Sequence, residues 1–347
     1  MVVGASGNLG TSVLRALETD DTVDSIVGIA RRAPEAGASK TEWIEAEVQT
    51  DPLAEHFSDA DAVVHLAWLI QPSRDRPELR AGNVAGSKNV FDAARRAGIE
   101  TLIYASSVGA YSPGPKDHRV DESWPTEGIS SSFYARDKAD VEDLLDQFEA
   151  SHPDTRVVRL RPGLMFKREA ASEIRRLFVG PFAPRFLFNR RIIPIVPRVT
   201  GLRFQAVHTD DVAEAVRLAL HRPVSGAFNL AAEPILDPDA LARIFGARTV
   251  PVPVRALRGM ASAAWRLRLQ PTPPGWLDLA LAVPLMSTER AREELGWEPR
   301  VAADEALVEL LDGMREGAGA DTPPLDPETS GPARSHELRT GVGAKNP

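Results

Sequence analysis

The sequence predicts an α/β chain: a doubly wound parallel sheet followed by a smaller C-terminal substrate-binding part. Two observations predict it. Short β-branched runs at 26–29, 62–66, 101–105 and 156–160 alternate with helical patterns at 10–18, 81–97 and 134–151. That alternation means β-α-β units with parallel strands and right-handed crossovers. At the start, an apolar Val2-Val3 enters Gly4-Ala5-Ser6-Gly7-Asn8-Leu9-Gly10, and a helical pattern (Leu9, Val13, Leu14, Leu17) leaves it. Strand, glycine turn and helix let a backbone approach a pyrophosphate closely while a helix N-terminus faces its charge.

Composition narrows the class. The 347-residue chain is 43% hydrophobic, enough to bury a sizeable core. Its net charge of −8 argues against nucleic acid as a partner. The most apolar stretch, 186–196, is interrupted by Arg190 and Arg191, so no bilayer span is expected and no membrane partner with it. Zero cysteines exclude disulfides and thiolate metal sites, and seven scattered histidines show no ligand spacing. Without a leader-like segment the cytoplasm is the default compartment, and a small molecule the default partner.

The elements follow in order. Met1-Val2-Val3 is short for a central strand, which usually runs about 5–6 residues, so a start upstream or a trimmed one is expected. Gly4, Gly7 and Gly10, with Ser6, Asn8 and Leu9 between them, form the candidate cradle. An acid about 20 residues beyond such glycines grips a ribose 2′-hydroxyl. Here Gly28-Ile29-Ala30 carries no acid and Arg31-Arg32 follow. Guanidinium groups pair with a 2′-phosphate, so NADP(H) is favoured over NAD(H).

Ser106-Ser107 closes the run 101–105, at the end of a parallel strand where ligand crevices form. Tyr134 and Lys138 lie four apart on a helical pattern and share a face. An ammonium beside a phenol favours the phenolate, so Tyr134 is the candidate proton donor and acceptor. From 165 to 315 prolines loosen the rhythm. Strands are expected at 203–207 and 227–230, and helices at 209–220, 256–267, 288–294 and 304–314. Residues 316–347 read as a disordered tail.

Together these residues resemble the extended short-chain dehydrogenase/reductase superfamily, in its NAD-dependent epimerase/dehydratase branch. The likeness rests on residues 4–10, His65-Leu66-Ala67, Asn83, Tyr104-Ala105-Ser106-Ser107 and Tyr134 with Lys138. It continues in Arg161-Pro162-Gly163, Val207-His208-Thr209-Asp210-Asp211-Val212-Ala213 and Glu294-Leu295-Gly296-Trp297-Glu298-Pro299, and covers about residues 1–315. It implies a Rossmann-type cofactor domain over 1–165, with later segments returning to it, and a mainly substrate-binding part over 166–315. It further implies Tyr134 as general acid/base and Ser107 orienting the substrate oxygen. Lys138 would hold the nicotinamide ribose and lower the tyrosine pKa, Ala67 would lie along the cofactor, and Glu47 would contact adenine. Asn83 is expected to be structural, and His208 with Asp211 an N-terminal cap and inter-domain contact. The superfamily's two-helix pairing allows a homodimer through 81–97 and 134–151.

Departures bear on substrate. Leu164 stands where sugar-nucleotide enzymes carry an asparagine after Arg161-Pro162-Gly163, removing an amide handle for a nucleotide substrate. Asp137 precedes Lys138 and is placed to pair with it or with Arg136. Apolar, arginine-bearing stretches at 174–199 and around Trp265 and Trp276 suit a hydrophobic carbonyl compound. The expected function is hydride transfer between NAD(P)(H) and a secondary alcohol or ketone. The alternatives are a nucleotide-sugar epimerase or dehydratase, and a non-catalytic NADP-sensing protein.

Overall fold

Seven parallel strands form the central sheet of the computed structural model, which describes residues 1–34, 39–70, 74–179, 188–189 and 192–328. They are β1 (Val2–Val3), β2 (Ile26–Ala30), β3 (Thr41–Glu45), β4 (Ala62–His65), β5 (Thr101–Ala105), β6 (Arg156–Pro162) and β7 (Gly226–Leu230), in the order β7-β6-β5-β4-β1-β2-β3. The order reverses at β1, which is where doubly wound sheets open a ligand crevice.

β1 is short and is paired on both sides. Val2 and Val3 pair with Gly28 and Ile29 on one side and with Val64 and His65 on the other. Met1 extends the pairing: its carbonyl accepts from Val64 N at 2.9 Å, and its terminal ammonium donates to Ala62 O at 2.9 Å.

Alternate residues of the strands face two apolar layers. Val2, Val64, Ile103, Val158 and Phe228 pack with Val13 and Leu17 of the first helix (Asn8–Glu18) and with Val212 and Val216 of the helix Thr209–His221. Val3, Val63, Leu102 and Val157 pack on the other side with Val90 and Phe91 (helix Gly86–Ala97) and with Val141 and Leu145 (helix Phe133–Ser151). Each fully buried side chain of this size contributes roughly 1.5–3 kcal/mol, so these layers fix the strand ends that build the site. The helical pattern from 81 begins earlier than the sequence suggests, as Arg76–Arg80 followed by a π-turn at Ala81–Ala85.

The later chain adds a three-stranded sheet of Ala232–Leu236, Phe204–His208 and Leu164–Phe166, and a parallel pair of Ile195–Arg198 with Arg248–Pro251. The helices Val254–Arg266 and Gly275–Ala282 follow. Composition places 316–347 in a disordered tail, yet 317–328 packs back on the body. Ala318 O accepts from Ser172 N at 3.1 Å, Thr322 Oγ1 donates to Ser6 O at 2.8 Å, and Leu325 is fully buried. One leucine and a few hydrogen bonds hold it, too little to leave a periodicity. The remaining 329–347 lie outside the described residues, as do Arg190 and Arg191.

Candidate active site

The carboxyl ends of β1, β2, β4, β5 and β6 open into one cavity of about 800 Å³. Its floor is the glycine turn. Gly4 takes φ +87°, and a Cβ there would lie 2.6 Å from Ala67 N. A Cβ on Gly10 would collide with the carbonyls of Gly4 and Ala5. Both glycines are therefore demanded by the fold itself.

Gly7 differs. Its backbone is extended, and a Cβ would meet only Gly4 O at 3.5 Å, an ordinary contact. It lines the cavity at the N-terminus of the first helix, where no side chain among the described residues caps the helix and no acid occupies the first turn. Exposed amide donors at the positive end of a helix, in a turn kept free of side chains, fit an anionic diphosphate. The buried Asn8 Oδ1 beside them has no hydrogen-bond partner among the described residues. Lys167 steadies this end from behind: its buried ammonium donates to Asn8 O at 2.6 Å, Thr11 Oγ1 at 2.7 Å and Ser12 Oγ at 3.0 Å. Arg31 and Arg32, exposed beyond β2, line the same cavity with Glu47 and Ala67. The cleft thus fits a nicotinamide dinucleotide.

At the other end of the cleft the serine pair divides its work. Ser106 Oγ turns inward and donates to Glu142 Oε1 at 2.5 Å. Ser107 Oγ faces the cavity, accepts from Gly109 N at 3.0 Å and is hydrogen-bonded to Tyr134. Tyr134 is gripped between Trp68 and Trp276, at ring separations of 6.0 and 5.1 Å. Gly109 presses on its edge. A Cβ there would lie 2.7 Å from Tyr134 Cε1, so this glycine fixes the ring's place, a role invisible in the sequence.

The helix Phe133–Ser151 brings Lys138 into the same cavity, but its partner is not the one that spacing suggests. Its Nζ donates to Tyr104 OH at 3.1 Å and Ala105 O at 2.8 Å, and lies 3.7 Å from the centre of the Trp68 ring. Burial pushes the lysine down to about 7. Burial pushes Tyr134 up to about 12, against the hydrogen bond from Ser107. In this structure the lysine ammonium is directed to Tyr104 and Ala105 rather than to the Tyr134 hydroxyl. Sharing a helix face does not prevent the long stem from turning to the strand carbonyl. Asp137 pairs with Arg80 at 3.3 Å instead of Lys138 or Arg136.

Beneath these groups lies a buried charge cluster that sequence reasoning missed. Both oxygens of the fully buried Glu142 accept from Arg161, Nε and Nη2 each at 2.9 Å, and Oε2 also accepts from Arg159 at 3.0 Å. Arg161 Nη1 donates to Tyr111 OH at 3.0 Å. The guanidinium groups hold the carboxyl down at about 2 despite its burial. Glu142 is one turn beyond Lys138, and the alternate arginines Arg159 and Arg161 on one strand are the sequence signal that could have found the cluster.

Other expected residues are structural. Asn83 clamps Leu69 through its backbone, accepting at 2.7 Å and donating at 3.1 Å. His208 Nδ1 accepts from Asp210 N to cap its helix, while Asp211 Oδ2 accepts from Val301 N. No group of residues among those described is arranged to hold a metal ion. Leu164, Leu177, Phe178, Trp276 and Leu279 give the cavity an apolar wall, and Glu173, Arg176 and Gln205 also line it. Trp265 is not part of it. Its ring lies under Arg74, 3.7 Å away.

The sequence profile of the NAD dependent epimerase/dehydratase family matches residues 1–231. A ketoreductase of Stigmatella aurantiaca, acting on 4-hydroxy-2-methyl-3-oxo-4-farnesyl-3,4-dihydroquinoline-1-oxide by its name, is 26% identical over 92% of this chain and 97% of its own. The decarboxylating sterol-4-alpha-carboxylate 3-dehydrogenase of Saccharomyces cerevisiae is 25% identical over 75% of this chain and 78% of its own. The crystal structure of a UDP-glucose 4-epimerase from Thermotoga maritima superposes with a TM-score of 0.65 at 20% identity, covering 91% of this chain and 98% of that one. With the crevice, the glycine cradle and the Ser107, Tyr134 and Lys138 side chains meeting in one cavity, the chain belongs to the NAD-dependent epimerase/dehydratase family of extended short-chain dehydrogenases/reductases.

Proposed function

We propose that the protein is an NADP(H)-dependent oxidoreductase interconverting an apolar ketone and its secondary alcohol. The observation that carries this reading is the continuity of the cavity. One space runs from the glycine turn past Ser107 and Tyr134 to an apolar wall, with Leu164 where a nucleotide handle would be. The names of the two relatives, acting on a sterol and a farnesylated quinoline, support an apolar substrate.

The turn of Gly4, Ser6, Gly7, Asn8, Leu9 and Gly10 would hold the diphosphate, Arg31 and Arg32 the 2′-phosphate, and Glu47 and Ala67 the adenosine side. When bound, the nicotinamide supplies or takes the hydride. Ser107 positions the substrate oxygen, and Tyr134 passes its hydroxyl proton to that oxygen in reduction or receives it in oxidation. Lys138 holds the nicotinamide ribose. The apolar walls around Tyr134 exclude competing water. The cytoplasm is the compartment in which we place this chemistry.

Two substitutions test the cofactor half. Arg31→Asp replaces a charge-assisted bond with repulsion, and is expected to weaken NADPH binding by roughly 10- to 100-fold while sparing NADH. Equal affinities before and after, by fluorescence titration, contradict the role of Arg31. Gly7→Val leaves the backbone unstrained and costs about 1 kcal/mol of stability at most, as a poorer helix cap. It fills the cradle, so both dinucleotides are expected to lose at least tenfold in affinity; undiminished binding refutes the cradle.

A further inference from the structure

Exposed apolar side chains on this protein are not scattered. Of the seven large ones among the described residues, six fall between residues 192 and 269, outside the central sheet. The helix Val254–Arg266 is 13 residues long, and none of them is buried. Its exposed residues include Ala256, Met260 and Ala263, and the C-cap residue Leu267 continues the spacing of four, three and four, which is one stripe along a helix. Met260 is 58% exposed, Leu267 69% and Leu269, just beyond the helix, 59%.

Charge on this segment has one sign. Between Asp239 and Asp278 the chain carries six arginines and neither an acid nor a lysine, in a protein of net charge −8. Arg258 is engaged, donating to both oxygens of Asp278 at 2.8 and 3.0 Å. Arg243, Arg248, Arg255, Arg266 and Arg268 form no ion pair with the described residues. Arg255 and Arg266 flank the two ends of the apolar stripe. Ile195 and Val250, on the parallel strand pair whose second strand leads into this helix, are exposed as well.

We propose that this face docks on an anionic phospholipid surface, with the helix Val254–Arg266 lying in the interface plane. No helix among the described residues is long and apolar enough to cross a membrane, and surface docking needs none. An apolar stripe bordered by arginines is the pattern such a surface selects, each cation near it adding roughly fivefold in affinity. A second copy meeting this face about a two-fold axis would set arginine against arginine, which disfavours self-association there. The placement also has a use. Asp278, which anchors the helix, sits on Gly275–Ala282 beside Trp276 and Leu279 of the cavity wall. A bilayer-dissolved ketone would thus meet the apolar end of the cavity at the lipid boundary. That last point rests on the functional reading above; the docking itself does not.

The test is sedimentation of the purified full-length chain with vesicles of phosphatidylcholine alone, or with roughly a third phosphatidylglycerol, without cofactor or substrate. At least tenfold tighter association with the anionic vesicles is expected, lost in high salt. It is also expected to be lost in Arg255→Glu/Arg266→Glu/Arg268→Glu and in Met260→Ser/Leu267→Ser/Leu269→Ser. These positions are exposed, so thermal melting confirms that both variants fold. Equal association with neutral vesicles, or variants that bind like the wild type, overturns the proposal. So does a wild-type dimer in light scattering that the serine variant converts to monomer, which would make the occupant a second copy. Because the assay contains no nucleotide, its failure leaves the oxidoreductase reading intact.

Discussion

Tyr134→Phe is expected to lower turnover by roughly a hundred- to ten-thousand-fold while leaving NADP(H) affinity and folding unchanged. The substitution removes one hydroxyl and keeps the ring that packs between Trp68 and Trp276. The glycine cradle is at the other end of the cavity and does not touch the ring. The loss should therefore fall on kcat with little change in dinucleotide Kd, because the hydroxyl proton is used only when the substrate oxygen changes charge. A variant that turns over normally would remove Tyr134 from the chemistry. One that loses cofactor affinity equally would make the residue a structural support. Ser107→Ala is a useful companion, since it also frees the Gly109 amide that the serine caps.

The second large effect concerns stability. Glu142→Gln keeps the size of the side chain and removes the only carboxylate among the described residues that pairs with the buried Arg161. Arg159 retains Asp146 and Glu149, whereas Arg161 keeps neutral acceptors alone. Uncovering a buried guanidinium in this way is expected to cost about 3–5 kcal/mol, read as a lowered urea midpoint at unchanged slope. Adding Arg161→Leu to the variant should recover part of the loss, since the unpaired charge is then gone. A Glu142→Gln protein within about 1 kcal/mol of wild type would mean that water reaches the cluster and screens it.

The glycine turn and the candidate catalytic side chains were legible because their spacing follows from the chemistry proposed for them. Strand, turn and helix must be contiguous to cradle a diphosphate, and Tyr134 and Lys138 must be one turn apart to share a face. The doubly wound sheet was legible from the alternation of β-branched runs and helices. Its edge strand Thr41–Glu45 was not, since Thr-Glu-Trp-Ile-Glu is too polar to stand out as an apolar run. Contacts made across long sequence separations were also invisible. Gly109 against Tyr134, Thr322 against Ser6 and Glu142 against two arginines all depend on which strand ends lie next to one another. The lysine's partner shows the same limit. Sequence places Lys138 beside Tyr134, and the fold gives its ammonium to Tyr104 and Ala105.

The claim most exposed to direct measurement is that the cleft holds NADP(H) as a dissociable hydride carrier. Nucleotide released from the denatured protein should be identified, and the nucleotide-free protein titrated with NADPH and NADH. The expected result is little or no retained nucleotide and one binding site at which NADPH is at least tenfold tighter, by the pairing strength of Arg31 and Arg32 with a 2′-phosphate. Stoichiometric NAD that leaves only on denaturation, with turnover of a nucleotide sugar and no net oxidation of cofactor, would contradict it.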